Sequence, residues 1–111
     1  MKNLTEKEKQ AIKELIEGLK KLYGDNLCRV ILYGSKARGD AEAGSDLDIV
    51  VVLKQMVSSY DEIDKITKIS APICLKYDIA ISVIPKPKER FDAPYKTIFI
   101  HNVLNEGIEL I

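Results

Sequence analysis

Two aspartates two residues apart, Asp46 and Asp48, stand at the mouth of an apolar run, Ile49 to Leu53. In an extended chain, residues i and i+2 project from the same face. The two carboxylates therefore point together, while Leu47 and Ile49 turn the other way into a core. Neighbouring carboxylates repel, and each resists burial. A divalent cation relieves both conflicts, and Mg²⁺ is commonly held by one or two carboxylates together with substrate phosphates. Another apolar run ends at Gly34-Ser35, with ten residues between Ser35 and Asp46. Gly34, without a Cβ, lets the backbone approach a ligand closely. Ser35 offers a hydroxyl and an N–H at the start of an expected short helix, where phosphate is favoured. Lys36 and Arg38 add positive charge, and the Arg38 guanidinium can bind two phosphate oxygens at once. Ser45, directly before Asp46, either holds the loop or contacts a phosphate. The chemistry these residues suit is a metal–phosphate site between two strand ends. Taken singly, a Gly-Ser turn is most often a strand end and an Asp-x-Asp a solvated strand entry; the joint pattern carries the reading. Gly39-x4-Gly44-Ser45 has part of the spacing of a P-loop but lacks the required lysine, which excludes that motif.

The elements that must hold this site can be followed along the chain. Thr5 and Glu8 form a capping box, and Ile12, Leu15, Ile16, Leu19, Leu22 and Tyr23 recur at helical spacing. They predict an amphipathic helix over about residues 5–23, ended by Gly24 and packed on a sheet. Cys28 to Tyr33 predicts a first strand, Ser35 to Arg38 a short helix, Gly39 to Ser45 a loop and Leu47 to Leu53 a second strand. Ser59 and Glu62 suggest a second capping box. Ile63, Ile66, Ile69 and Ile73 continue as a helical stripe that Pro72 is expected to end or kink. Tyr77 to Ile84 predicts a third strand closed by Pro85 and Pro87, with Asp78, Ala80 and Ser82 on one face and Ile79, Ile81 and Val83 on the other. Asp78 is the only charge inside it. Lys86 to Pro94 reads as a connection. Tyr95, Ile98, Phe99 and Val103 mark a last helix, begun near Pro94 and ended by Gly107. Ile108 to Ile111 reads as an apolar tail or short strand. Tyr33, just before Gly34, is a candidate for the lining of a nucleotide pocket.

The 111 residues suit one domain, 1–111. Charged residues make up 31% of the chain and sum to zero, which argues against a nucleic-acid binder held by bulk charge. Cys28 and Cys74 form no C-x-x-C pair and read as small buried residues of a reducing compartment. The charged beginning, MKNLTEKEKQ, lacks the apolar region of a signal peptide. The longest purely aliphatic run, Ile49 to Leu53, is far short of the ~20 residues of a membrane span. A soluble, cytoplasmic protein is expected.

The stretch from Val30 to Val52, VILYGSKARGDAEAGSDLDIVVV, resembles the signature of the DNA polymerase beta-type nucleotidyltransferase superfamily. The string GSKARGDAEAGSDLDIVV is most similar to its minimal nucleotidyltransferase branch, whose members are commonly encoded beside a HEPN-domain toxin as its antitoxin. The resemblance implies an α/β (α+β) fold: a small mixed sheet with helices packed on it, like the polymerase beta palm. It implies that Asp46 and Asp48 bridge two Mg²⁺ ions, and that Asp78, as the third carboxylate, binds one of them and helps deprotonate the attacking hydroxyl. Gly34 and Ser35 would hold the β- and γ-phosphates of ATP, neutralised by Lys36 or Arg38. The implied reaction is transfer of AMP from ATP to a tyrosine of the HEPN toxin, a ribonuclease. The chain ends soon after the third Asp and one helix, so the expected acceptor is a macromolecule that brings its own contacts. Homo- or hetero-oligomers are compatible with this reading. Two alternatives stay open: a non-catalytic module that blocks the toxin by contact, and adenylylation of a small molecule.

Overall fold

The computed structural model describes residues 4–39 and 46–111. Helix α1 spans Glu6–Tyr23, with Thr5 at its N-cap and the Thr5–Glu8 capping box formed in both directions. The Glu8 N–H donates to the Thr5 hydroxyl, and the Thr5 N–H donates to the Glu8 carboxylate at 2.9 Å. Ala11, Ile12, Leu15 and Leu19 are buried, whereas Leu22, expected on the same stripe, lies exposed. After a 3₁₀ turn at Gly24–Asn26 come strand β1 (Leu27–Tyr33), the single-turn helix α2 (Ser35–Arg38) and strand β2 (Leu47–Leu53). Helix α3 (Ser59–Tyr77) leads to strand β3 (Ile81–Pro87), followed by α4 (Lys88–Asp92), α5 (Ile98–Glu106) and β4 (Ile108–Glu109).

The four strands make one sheet in the order β3-β2-β1-β4. β1 is antiparallel to both β2 and β4, and β2 is parallel to β3. A parallel neighbour needs a long crossover, which α3 supplies. β2 is covered on both faces, and Asp48 is its one residue that is not buried. Leu47, Ile49, Val51 and Leu53 enter a core with α1 and α3. Val50 and Val52 face the other way, onto Ile31, Phe91, Ile100 and Val103. Asp48 has the parity of that second face, so α4 and α5 cover the side of the sheet on which its carboxylate emerges.

Several boundaries differ from expectation, each for a packing reason. Pro72 does not end α3, which runs on to Tyr77. The lost backbone bond is outweighed by what the extra turn places: Ile73 in the core, and Lys76 and Tyr77 on Glu14 of α1. The N-cap of α3 is Ser58, whose hydroxyl accepts from the Asp61 N–H, and not Ser59. Asp78 is not in a strand. It caps the C-terminus of α3 in the left-handed region, φ 54°, and donates its N–H to Cys74. β3 begins later, at Ile81, and runs through both prolines. The Leu47 N–H bonds to the Ala80 carbonyl, so even-numbered residues of β3 face β2 and odd ones face the open edge. Pro85 and Pro87 are both odd, which is where a strand tolerates a missing N–H. The stretch taken for a connection holds α4, whose Phe91 is buried. α5 starts at Ile98 under a Thr97 cap, leaving Tyr95 outside it and exposed.

Gly107 fixes how closely α5 lies on β1. A Cβ there would meet the Val103 carbonyl oxygen at 2.4 Å and Ile31 Cγ2 at 2.5 Å. Gly107→Ala is expected to lower the unfolding free energy by about 1–3 kcal/mol, the usual range for forced overpacking, as read by urea denaturation.

Candidate active site

The site is built around one close approach. Gly34 leaves β1 with φ 75°, in the region that favours glycine, and starts α2. Tyr33 is the register partner of Asp48 across the antiparallel pair. A Cβ on Gly34 would stand 2.6 Å from Asp48 Oδ2. Gly34 is thus required twice, by its backbone conformation and by the carboxylate beside it. The Gly34 carbonyl accepts from the N–H groups of Ala37 and Arg38 at 3.1 Å each, and Ser35 accepts from Gly39 at 2.9 Å. These bonds close the single turn that carries Ser35 and Arg38 next to the aspartates.

Asp46 is exposed just before β2, and Asp48 is half-buried at its start. Burial, and then the charge of Asp46, push the Asp48 carboxyl above the ordinary carboxylate range, against the opposing pull of Arg38. Arg38 also forms a 3.5 Å ion pair with Glu106 of α5, in which both side chains are partly exposed. Asp48 lies level with Ser82 of β3. The pair Asp46/Asp48 therefore keeps its mutual repulsion at a partly dry strand mouth, with one guanidinium in range.

Lys36 takes a different place from the one expected. Its Nζ meets Glu8 Oε2 at 2.8 Å, and both side chains are less than a tenth exposed. One Glu8 oxygen caps α1 while the other neutralises Lys36. The lysine thereby ties the turn after Gly34 to the first turn of α1. Burial works to raise the Glu8 carboxyl, but hydrogen bonds from Lys36 and from the Thr5 N–H outweigh it and hold the group below its ordinary value.

Asp78 is exposed at the end of α3. It borders a cleft of about 580 Å³ that is also lined by Glu8 and Lys36. Among the described residues, no three His, Cys, Asp or Glu side chains are grouped so as to hold a metal ion. The expected triad of Asp46, Asp48 and Asp78 is therefore not assembled as such. What fits a hard divalent cation is the Asp46/Asp48 pair: two oxygen-donor groups, one with its pKa raised by burial and then by the other's charge, with substrate oxygens left to complete the shell. Ser45 lies outside the described residues.

The sequence left part of the surroundings unread. Beside Gly34 and Arg38, a small cleft of about 200 Å³ is walled by Tyr33 and by Phe99, Asn102, Val103 and Glu106 of α5. The rings of Tyr33 and Phe99 meet edge to face, with centroids 5.4 Å apart. Tyr33 was recognisable from its position next to Gly34. Phe99 reads as an ordinary member of a helical stripe, and nothing local marks Asn102. Only the packing of α5 on the sheet brings them to the site.

Comparison with known proteins gives a consistent result. Residues 12–105 match the family described as nucleotidyltransferase domain. A candidate protein adenylyltransferase of Methanocaldococcus jannaschii is 42% identical over 101 residues, covering 91% of this chain and 96% of that protein. A solved structure described as a candidate minimal nucleotidyltransferase superposes with a TM-score of 0.57 at 26% identity, covering 91% of both chains. A crystal structure of a toxin–antitoxin with AMP-PNP superposes with a TM-score of 0.64 at 17% identity, covering 89% of this chain and 71% of that one, and so shares the fold.

Two outcomes are expected from these contacts. Asp48→Asn should raise the melting temperature at pH 7, because it removes a charge whose folded-state pKa lies above the unfolded value of 3.8. The gain is full above the folded pKa and vanishes as the pH falls to the unfolded one, which calorimetry across pH 3–7 would reveal. Glu8→Gln and Lys36→Met should each cost about 3 kcal/mol, as expected when a buried pair loses one partner. The depressed Glu8 pKa stabilises the fold above the unfolded value of 4.5, and that contribution is lost as pH falls through the folded pKa. Glu8→Gln should therefore also flatten the acid limb of stability against pH.

Proposed function

Because the chain belongs to the nucleotidyltransferase domain family, we propose that it transfers AMP from ATP to a hydroxyl of a protein, a tyrosine of a HEPN-family toxin, and so acts as that toxin's antitoxin. The observation that carries the reading is the contact of Gly34 with Asp48, which holds a phosphate-type turn directly against the Asp46/Asp48 pair. The protein-directed reaction is supported by the near full-length likeness to a candidate protein adenylyltransferase. The toxin partner and the adenine nucleotide are supported by the shared fold of the toxin–antitoxin solved with AMP-PNP.

In this reading the acceptor oxygen forms a bond to the α-phosphorus, the bond from that phosphorus to the bridging oxygen of pyrophosphate breaks, and the hydroxyl proton leaves to a base or to water. Asp46 and Asp48 would hold Mg²⁺, which would supply charge stabilisation for the attacking and leaving oxygens. Gly34 and Ser35 would orient the β- and γ-phosphates, and Arg38 would neutralise them, exchanging its exposed contact with Glu106 for phosphate. Lys36 belongs to the support of that turn through Glu8. Asp78 caps the end of α3, before β3 begins and apart from the Asp46/Asp48 pair; its place as third carboxylate is the part of the reading that its own substitution tests. Positioning and electrostatics supply most of the catalysis in phosphoryl-type transfers, so few side chains are needed.

The test is to incubate the protein with ATP, Mg²⁺ and the partner encoded beside it, and to weigh the partner by intact mass spectrometry. A gain of one or more AMP units is expected, abolished by Asp48→Asn and at least a hundredfold slower with Arg38→Ala, on the order of the loss when a transition-state charge partner is removed. A stable complex with unshifted mass would replace this reading by a non-catalytic binding module. Activity unchanged by Asp78→Asn would remove Asp78 from the carboxylate set.

A further inference from the structure

The cleft between Tyr33 and α5 is lined at one end by Gly34 and Arg38, and its remaining walls, from Tyr33 and α5, have no role in the reading so far. Its volume, about 200 Å³, is below the ~300 Å³ at which pockets take a whole drug-sized ligand. It has room for one planar ring system, with the rest of the ligand outside. Its walls suit such a ring. Tyr33 and Phe99 stand at 85° to each other, Val103 is buried behind them, and Lys86 holds its ammonium 5.7 Å from the Phe99 ring. Asn102 is exposed on the lining of the cleft, one helical turn along from Phe99. The amide of Asn105, by contrast, is taken up by His101 at 2.9 Å.

We propose that this cleft is the nucleobase subsite: Tyr33 and Phe99 hold the base of the nucleotide whose phosphates lie at Gly34 and Arg38, and Asn102 selects adenine. The inference rests on the nucleotide-transfer reading and adds the base specificity to it. Aromatic side chains hold bases by stacking that is indifferent to base identity, worth about 1–3 kcal/mol per base. Identity has to come from a polar edge. An asparagine amide offers one donor and one acceptor, the complement of the N6/N7 edge of adenine; guanine presents two acceptors, O6 and N7, on the same edge. The charged residues of the lining, Arg38 and Glu106, pair with each other at 3.5 Å, so the wall formed by Tyr33, Phe99, Asn102 and Val103 is uncharged and matches a neutral base.

Calorimetric titration of the full chain in Mg²⁺ buffer tests this with three probes: ATP, GTP and inorganic tripolyphosphate. The wild type should bind ATP more tightly than GTP. Asn102→Ala, an exposed helical position where the fold tolerates alanine, should weaken ATP about tenfold and erase the preference over GTP. Phe99→Leu should weaken both nucleotides alike. Tripolyphosphate binding should be unchanged in both variants. Equal ATP and GTP affinities in the wild type, or unaltered ATP binding in both variants, would overturn the assignment. Unaltered ATP binding with loss of transfer onto the partner would give the cleft to the acceptor instead. Loss of tripolyphosphate binding in both variants would place the two residues at the phosphates and likewise overturn it. A wild type that binds tripolyphosphate but no nucleotide would defeat the base subsite and leave the phosphate turn standing; one that binds none of the three would defeat the nucleotide-transfer reading itself.

Discussion

An ionisable side chain has to emerge from a strand that is dry on both faces. β2 is covered by α1 and α3 on one side and by α4 and α5 on the other, and only at its first turn of pleat does the packing open enough for Asp48. The rest of the architecture follows from keeping that opening narrow. β1 must end where β2 begins, so that Gly34 can lie against the carboxylate. β3 must run parallel on the other side, which brings Ser82 level with Asp48 and requires the long crossover α3. α5 must stop short of closing the mouth, and it leaves a small ring-walled cleft there. Burial and the neighbouring Asp46 make the ionised Asp48 costly. A fold arranged for stability alone would have used a neutral residue here, which supports the proposal that Asp48 serves the reaction.

The other anchor is Glu8. A single carboxylate caps α1 by accepting from the Thr5 N–H and with its other oxygen neutralises Lys36. Desolvating two charges is expensive, and such a pair is retained only where its hydrogen bonds are complete. Here they fix the relative position of two elements that share little apolar surface: a long amphipathic helix and one short turn. Hydrophobic contact could not have oriented a four-residue helix so definitely, because it has no direction of its own. The ion pair supplies that direction.

Local sequence carried some of this and not the rest, for identifiable reasons. The Thr5–Glu8 box, the α1 stripe as far as Leu19, both runs flanking the aspartates and the Gly107 stop depend on neighbours within a turn or a pleat, and they appear where expected. The mixed sheet with helices on it agrees with the fold expected from the resemblance. What failed depended on distant partners. Pro72 reads as a stop until Glu14, on another helix, rewards the residues beyond it. Asp78 reads as a strand residue because Asp78, Ala80 and Ser82 alternate with isoleucines and valine. The alternation is real in the packing of Ile79, Ile81 and Val83, but the chain uses Asp78 itself to leave the helix. Lys36 sits beside the glycine turn and looks like a phosphate ligand; its partner is Glu8, in the first turn of α1. Phe99 reads locally only as part of a helical stripe, and Asn102 has no local signal; their place at the cleft comes from how α5 packs on the sheet.

The open edge of the sheet bears on how this protein behaves in a crowded solution. Pro85 and Pro87 both point their missing donors outward along β3, and the opposite edge is the two-residue β4. An incoming strand would find outward donors only at Ile81 and Val83 on one side and hardly any length on the other. Edge-to-edge growth, the usual route from a small sheet to a fibril, is disfavoured at both edges, by missing donors on one and by short length on the other. A protein that docks here meets mainly side-chain surfaces, which are selective, and little of a backbone ladder, which is not.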